Sequence, residues 1–501
     1  MRDPQSYDPP PDTVEIISTH GAFIFLAGPY AFKLKRSVRY SYLDYSTLEQ
    51  RRRMCLKELE RNQPSAPEIY RGIVAITKSE LGKLSIGGSG TPVEWAIHMN
   101  RFDQDSLLSN VIEAGELTAE LADSTAQAIS RYQRGVKHDH SADSVRQFET
   151  VIGDLSVVFE DHVSKLKAEN VRKFRDRATE RLRDVVLCMR MRGKRGFVRL
   201  CHGDLHSENI VLINSQPVLF DSIEFNDAIA TVDVLYDLAF LLMDLIKKGE
   251  RRAANRILNR YLNDSRSSED IYGLRALPLY LACRAGIRAM VAFQRADMSA
   301  SGERAAATGI ATDYFHTALD FLNPAAPQLI AIGGFSGTGK TTLAAALAPK
   351  LGSAPGALHL RSDIERKVMF DVPETERLQE EFYSESISAK VYDCLLQKTW
   401  IALRTGSTVI VDAVFSQQSE RNAFEEVATR LKVPFKGFWL SSSEAKMISR
   451  VSVRRGDASD ATPRIVEMQI ERGTGPISWA PIDSSGNIVD TVGQLVSHLG
   501  T

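Results

Sequence analysis

Gly334-Phe335-Ser336-Gly337-Thr338-Gly339-Lys340-Thr341 fits the pattern G-x-x-x-x-G-K-[ST]. The five residues before it, Leu329-Ile330-Ala331-Ile332-Gly333, read as a buried strand, and the residues from Thr341 to Leu351 open as a helix. In that context the glycines let backbone N–H groups close around phosphate oxygens, and the helix start adds a favourable dipole. The expected phosphate cradle is Gly334, Ser336, Gly337, Thr338 and Gly339, with Thr341 and Thr342 at the helix start. Lys340 is expected to reach the β- and γ-phosphates of a nucleotide, and the Thr341 hydroxyl to ligate Mg²⁺.

Working outward, LHLRSDIERK places Asp363 and Arg366 just after a second strand, and STVIVDAVF is another buried strand that ends in Asp412. A carboxylate there can hold Mg²⁺ directly or through water. SRVSVRRGDASDA puts Arg450, Arg454 and Arg455 on a helix that breaks at Gly456, a place that suits a phosphate-contacting lid. No guanine-reading NKxD pattern follows, which argues against a GTPase. Residues 328–501 therefore resemble the P-loop small-molecule kinases of the AAA_33/zeta-toxin-like group, relatives of gluconate kinase and polynucleotide kinase. The resemblance implies that Asp363 faces the substrate hydroxyl as base or orienter, and that Arg450 and Arg454 serve the nucleotide. The plain alternatives are a helix N-cap for Asp363 and a solvated face for the arginines.

A second signature lies upstream. His202-Gly203-Asp204-Leu205-His206-Ser207-Glu208-Asn209 sits between two short apolar runs, and Asp221 follows twelve residues after Asn209. The Asp-x4-Asn spacing with a later Asp is the arrangement of a kinase catalytic loop. Asp204 is then placed to accept the attacking hydroxyl's proton, with Asn209 and Asp221 as oxygen ligands of Mg²⁺. His202 and His206 read as loop-organising residues. HGDLHSEN followed by Phe220-Asp221 resembles the aminoglycoside phosphotransferase-like, protein-kinase-like family over roughly residues 15–320. That resemblance implies an ATP-binding lysine on YAFKLKR, where Lys33 and Lys35 share one face and Lys33 is favoured. It also implies a helix carboxylate for that lysine, Glu58 with Glu49 as rival, and adenine against the backbone of Met99–Arg101. Asp237, in the apolar helix after Asp221, reads as structural. No G-x-G-x-x-G precedes the lysine strand, where Ser18–Gly21 stands instead.

The rest of the chain frames these two signatures. Its 501 residues allow about two to four domains. The sequence predicts a mixed chain, α+β then α/β: a bilobal protein-kinase-like fold over 1–322, then a P-loop kinase fold with a parallel sheet over 328–501. The Pro/Ala-rich NPAAPQ at 323–328 is the expected linker. With 62 basic and 63 acidic residues the net charge is -1, which gives no global drive toward nucleic acid or membrane. Five cysteines without a CxxC pair point to a reducing, cytoplasmic setting. The apolar run Val232–Ile246 carries Asp233, Asp237 and Asp244 and is too short and charged to span a bilayer.

The function expected is ATP- and Mg²⁺-dependent transfer of the γ-phosphoryl to a hydroxyl of a small molecule, such as a sugar, an aminoglycoside-like compound or another metabolite. Two other readings are a nucleotide-binding half that regulates its neighbour, and a protein-directed or toxin-like kinase. Glu224, Asp227 and Asp233 form a candidate acidic cluster for a polycationic acceptor. Neither the acceptor nor the oligomeric state follows from the sequence.

Overall fold

Strand-forming runs in the first hundred residues build a six-stranded antiparallel sheet in the order β1-β2-β3-β6-β4-β5. Its strands are β1 (Val14–Ser18), β2 (Ala22–Ala27), β3 (Tyr30–Lys35), β4 (Tyr70–Lys78), β5 (Leu84–Ile86) and β6 (Thr91–Asn100). The structure, a computed structural model, describes all residues except 20, 40–42, 141–142, 300, 454–455 and 500–501. β1 and β2 fold back on each other, with Ser18 paired to Phe23. Thr19 closes that reversal by accepting from Ala22 N at 3.0 Å through its Oγ1. The helix Leu48–Asn62 covers one sheet face, where Cys55 packs with Leu26, Tyr70 and Ile97. Its N-cap is Thr47 with Gln50 as the reciprocal cap.

By Cα proximity the chain falls into two compact units, residues 1–144 with 191–244, and residues 145–190 with 245–501. The first unit adds to the antiparallel sheet the short pairs β7 (Val198–Leu200) with β10 (Thr231–Asp233), and β8 (Ile210–Ile213) with β9 (Gln216–Leu219). The second unit contains long helices, among them Arg251–Ser265, Leu277–Met298 and Ser301–Phe321, and a parallel sheet. Phe159, Phe174 and Phe315 meet edge-on or tilted in the core of those helices, with centroids 4.8–6.1 Å apart. The stretch Ser268–Met298 is long and apolar enough to cross a membrane, yet 67% of its most apolar window is buried inside the protein. All five cysteines are free.

The parallel sheet runs β12 (Leu358–Arg361), β13 (Val409–Asp412), β11 (Leu329–Gly333), β14 (Phe435–Ser441) and β15 (Ala480–Asp483). β11 and β13 are buried at every position, which explains their unbroken apolar runs. The register sets Ile332 beside Asp412, and Asp412 beside Arg361. The loop after β11, the helix after β12 and the end of β13 therefore gather at one edge, the carboxyl ends of the strands, where open parallel sheets bind ligands. The expected parallel sheet and the mixed α/β character are both present. Residues 323–328 carry no regular structure between the helix ending at Phe321 and β11.

Candidate nucleotide and catalytic sites

The first candidate site lies wholly within the first unit. β3 presents Lys33 and Lys35 on one face, two residues apart, as the strand period requires. Lys33 Nζ donates to Glu58 Oε1 at 2.8 Å and bonds Asp221 Oδ1. Lys35 Nζ donates to Glu58 Oε2 at 2.6 Å and bonds Glu224, which also takes the Tyr45 hydroxyl. Burial opposes charge on Lys33, but Asp221 and Glu58 outweigh it and hold the ammonium well above the usual lysine range. Lys35 is likewise held up against burial by Glu224 and Glu58. Glu58 is fully buried. Glu49 is exposed in the first helical turn and faces Arg52, so it takes no part.

The loop 202–209 is pinned from behind. Gly203 N donates to Asp237 Oδ1 at 2.8 Å, and Ser207 N to Asp244 Oδ2 at 3.0 Å. Gly203, at φ +84°, takes a left-handed backbone that favours glycine, and a Cβ there would lie a tight 3.0 Å from the Ile223 side chain. His202 Nε2 lies 2.8 Å from Phe220 O, so its proton sits on Nε2 and ties the loop to the residue before Asp221. Burial lowers the His202 pKa and keeps the ring neutral. Asn209 turns its amide nitrogen to Asp204, 2.8 Å from the carbonyl and 3.0 Å from Oδ2. That orientation leaves the Asn209 oxygen for a cation. His206 Nε2 stands 3.3 Å from the same Asp204 oxygen.

A cavity of about 190 Å³ joins these pieces, lined by Lys33, Met99, Arg101, Asn209 and Asp221 among others. Asn100 N and Arg101 N are already committed to Ile69 O and Pro29 O, so those two N–H groups do not serve adenine. Asp221 and Asn209 offer oxygen donors at one end of the cavity, a set that fits Mg²⁺ sharing its remaining positions with water and phosphate. The structure thus brings together Lys33, Glu58, Asp204, Asn209 and Asp221. The acidic cluster does not form: Glu224 is buried with Lys35, Asp227 faces Lys57 and Arg61, and Asp233 is paired with Arg192.

The two lysines should separate by experiment. Lys35→Met leaves buried Glu224 without its lysine, while Glu58 keeps Lys33, and should cost about 3–5 kcal/mol, read as a lower melting midpoint of the full chain. Lys33→Met should lower affinity for ATP more than it lowers that midpoint. Equal effects of the two substitutions on both readouts would remove the distinction.

The second candidate site lies at the carboxyl edge of the parallel sheet. Gly337, at φ +82°, sits so close to the helix Glu444–Val453 that a Cβ would lie 2.5 Å from Met447 O. Ser336 N donates to Gln469 Oε1 at 2.8 Å, Thr338 Oγ1 to Phe335 O at 2.8 Å, and Lys340 Nζ to Phe335 O at 3.1 Å. Lys340 starts the helix Lys340–Leu347 after Gly339, with Thr341 and Thr342 in its first turn. Thr341 Oγ1 donates to Asp412 Oδ2 at 2.5 Å. Burial pushes the Asp412 carboxyl up, but His359, Lys340 and Arg361 outweigh burial and bring it down to about 2. Thr341 and Asp412 are oxygen donors in contact, again a set that fits Mg²⁺.

Arg450 reaches the phosphate loop, donating to Gly337 O at 3.2 Å and to Ser484 O at 2.9 Å. Arg454 and Arg455 lie outside the described residues. Asp363 is in the first turn of the helix Ser362–Met369, whose N-cap is Arg361. Burial raises its pKa against the pull of Arg361 and Lys340. Arg366 is buried: it donates to Phe382 O at 2.7 Å and Ser388 Oγ at 3.2 Å, and lies over the Tyr383 ring. Sequence reasoning missed Arg361, which donates to Asp457 at 2.8 Å, and Tyr383, which donates to Asp460 at 2.6 Å. The S-D-A stretch containing Asp460 was the available signal.

This second constellation, a phosphate loop after the first strand of a parallel sheet with a carboxylate at the end of the neighbouring strand, defines a P-loop nucleotide-binding domain. Residues 329–476 match the AAA_33 family, described as an AAA domain. An uncharacterized protein of Mycobacterium tuberculosis (strain H37Rv) is 27% identical over 495 residues, which cover 96% of this chain and 94% of the relative. Among solved structures, the GDP complex of aminoglycoside 2′-phosphotransferase-IIIa aligns with 61% of this chain and 93% of its own, at 15% identity and a TM-score of 0.38. A gluconokinase from Sinorhizobium meliloti aligns with 35% of this chain and 96% of its own, at 18% identity and a TM-score of 0.25.

Proposed function

We propose that the chain is an ATP-dependent phosphotransferase with two nucleotide sites, each passing the γ-phosphoryl group to a hydroxyl of a small molecule. The two catalytic halves are residues 1–322 and 328–501, defined by their sites. The observation that carries this reading is the convergence of Lys33, Asn209 and Asp221 on one cavity, with Glu58 paired to Lys33 and Asp204 bonded to Asn209. In the first half, Lys33 holds nucleotide phosphate while Glu58 keeps it in place. Asp204 takes the proton of the acceptor hydroxyl, whose oxygen forms a bond to the γ-phosphorus as the bond to ADP breaks. Asn209 and Asp221 are the residues that would hold Mg²⁺, which supplies charge neutralisation on the phosphates.

In the second half, Lys340 and Arg450 serve the phosphates, and Thr341 and Asp412 are the Mg²⁺ ligands. Asp363, with its pKa raised by burial, is the acceptor-side base or orienter. The commitment of Glu224, Asp227 and Asp233 to internal ion pairs favours a sugar or similar neutral metabolite over a polycation at the first site. We place the protein in the cytoplasm, acting on small molecules rather than on nucleic acid or membrane.

The test is phosphorylation of a metabolite extract with γ-labelled ATP by the full chain, by Asp204→Asn, by Asp363→Asn and by the double variant. Each single substitution should remove its own set of labelled products, and the double variant both. Label appearing in protein instead of metabolites would favour a protein-directed kinase. One half that binds ATP without turnover, yet whose nucleotide site changes the rate of the other, would favour the regulatory reading.

A further inference from the structure

The second unit contains another cavity, of about 350 Å³, at the amino ends of β12 and β13, the sheet edge opposite the phosphate loop. Its walls are the helices Ala168–Lys194 and Leu277–Met298, residues 324–327, and the turns 353–356 and 404–408 that lead into the two strands. Arg181, Arg275 and Arg404 line it, against a single carboxylate, Asp184. Among the described residues none of these three arginines has a carboxylate within ion-pair distance, and neither does Asp184 have a cation.

The hydroxyl-bearing wall is Ser353, Thr405, Ser407 and Thr408. The turn 352–357, which carries Ser353, is tied to the helix Arg251–Ser265. Arg251 donates to Gly352 O at 3.0 Å and Pro355 O at 3.3 Å, and Asn255 Nδ2 donates to Ala357 O at 3.0 Å. A wall fixed in advance lowers the ordering cost of binding.

We propose that this cavity binds a phosphate monoester of a small polar metabolite. Planar guanidinium forks match phosphate oxygens two at a time, and arginine is weakly hydrated enough to give up water for them. Three arginines against one aspartate leave a lining of net charge +2, which complements a phosphate monoester of about -1.5 to -2 at neutral pH. The volume falls in the range of small-molecule sites, about 300–1,000 Å³. The hydroxyls of the wall suit the polar body of the ligand, and Pro278, Leu258 and Leu274 close its remaining side.

The test uses glucose 6-phosphate and inorganic phosphate as probes and glucose as control. Equilibrium dialysis is run on the full chain with Lys340→Met present, so that the phosphate loop does not compete. Glucose 6-phosphate should bind saturably and be displaced by inorganic phosphate but not by glucose. Arg275→Gln with Arg404→Gln, both at exposed positions, should weaken binding at least tenfold while circular dichroism and the melting midpoint stay unchanged. Arg181→Gln alone gives an independent arm and should weaken it as well. Absence of saturable binding by both phosphate probes, or a loss below tenfold in the folded double variant, overturns the proposal.

Discussion

Asp204→Asn should lower acceptor-dependent turnover at the first site by about 10²–10⁴, the usual cost of losing a positioned base. ATP affinity should stay near that of the unaltered chain. Asparagine keeps the size of the side chain and still presents an oxygen to Asn209 Nδ2, so the 3.0 Å bond that orients Asn209 survives. What it loses is the ability to take the acceptor's proton. Asp221→Asn should behave differently, because it removes a cation ligand and a partner of Lys33. Its ATP binding should recover as Mg²⁺ is raised, whereas Asp204→Asn should be indifferent to added Mg²⁺. The comparison is made on the full chain carrying Lys340→Met, with rates and ATP titrations at several Mg²⁺ concentrations. Turnover of Asp204→Asn equal to that of its parent would remove Asp204 from the chemistry.

Both candidate sites are legible because the chemistry proposed for them needs short, contiguous segments. HGDLHSEN and GFSGTGKT each supply loop geometry and functional side chains within eight residues, so the sequence alone places Asp204 near Asn209 and Lys340 near Thr341. Choices between near-equivalent local patterns were harder. Ser46-x-x-Glu49 and Thr47-x-x-Gln50 are both capping boxes. The second is used because Ser46 Oγ is already engaged, donating to Asp44 Oδ1 at 2.6 Å. Lys33 and Lys35 both bond Glu58, so shared strand face does not rank them; what separates them is that Asp221 meets Lys33 and Glu224 meets Lys35.

What the sequence left unread depends on distant packing. Arg361 with Asp457 and Tyr383 with Asp460 span 96 and 77 residues, and no local period reports such pairs. Likewise Glu224, Asp227 and Asp233 look like an acidic patch in one dimension. Each is neutralised by a base at least 41 residues away in sequence, so the patch is an artefact of proximity along the chain.

Lys340→Met should abolish turnover at the second site, with a loss of at least about 10²–10³, the scale of removing one preorganised donor to transition-state charge. The lysine starts a helix whose N-terminal dipole already favours anions, and it donates across the loop to Phe335 O at 3.1 Å. Its ammonium is therefore held over the same small ring of backbone that closes on phosphate. A lysine that served only as a surface partner would be worth about 0–1 kcal/mol, and its loss would barely register in a rate. Methionine preserves the length and apolar stem of the side chain, so the fold around the loop should persist. The loss should appear in both ATP affinity and turnover. Asp363→Asn, on the acceptor side and outside the phosphate loop, should reduce transfer while sparing ATP binding. Titration of both variants with ATP, followed by the rate of labelled product formed by the second site, distinguishes the two roles. Full second-site turnover in Lys340→Met would refute the phosphate-loop assignment, and equal loss of ATP affinity in both variants would move Asp363 from the acceptor to the nucleotide.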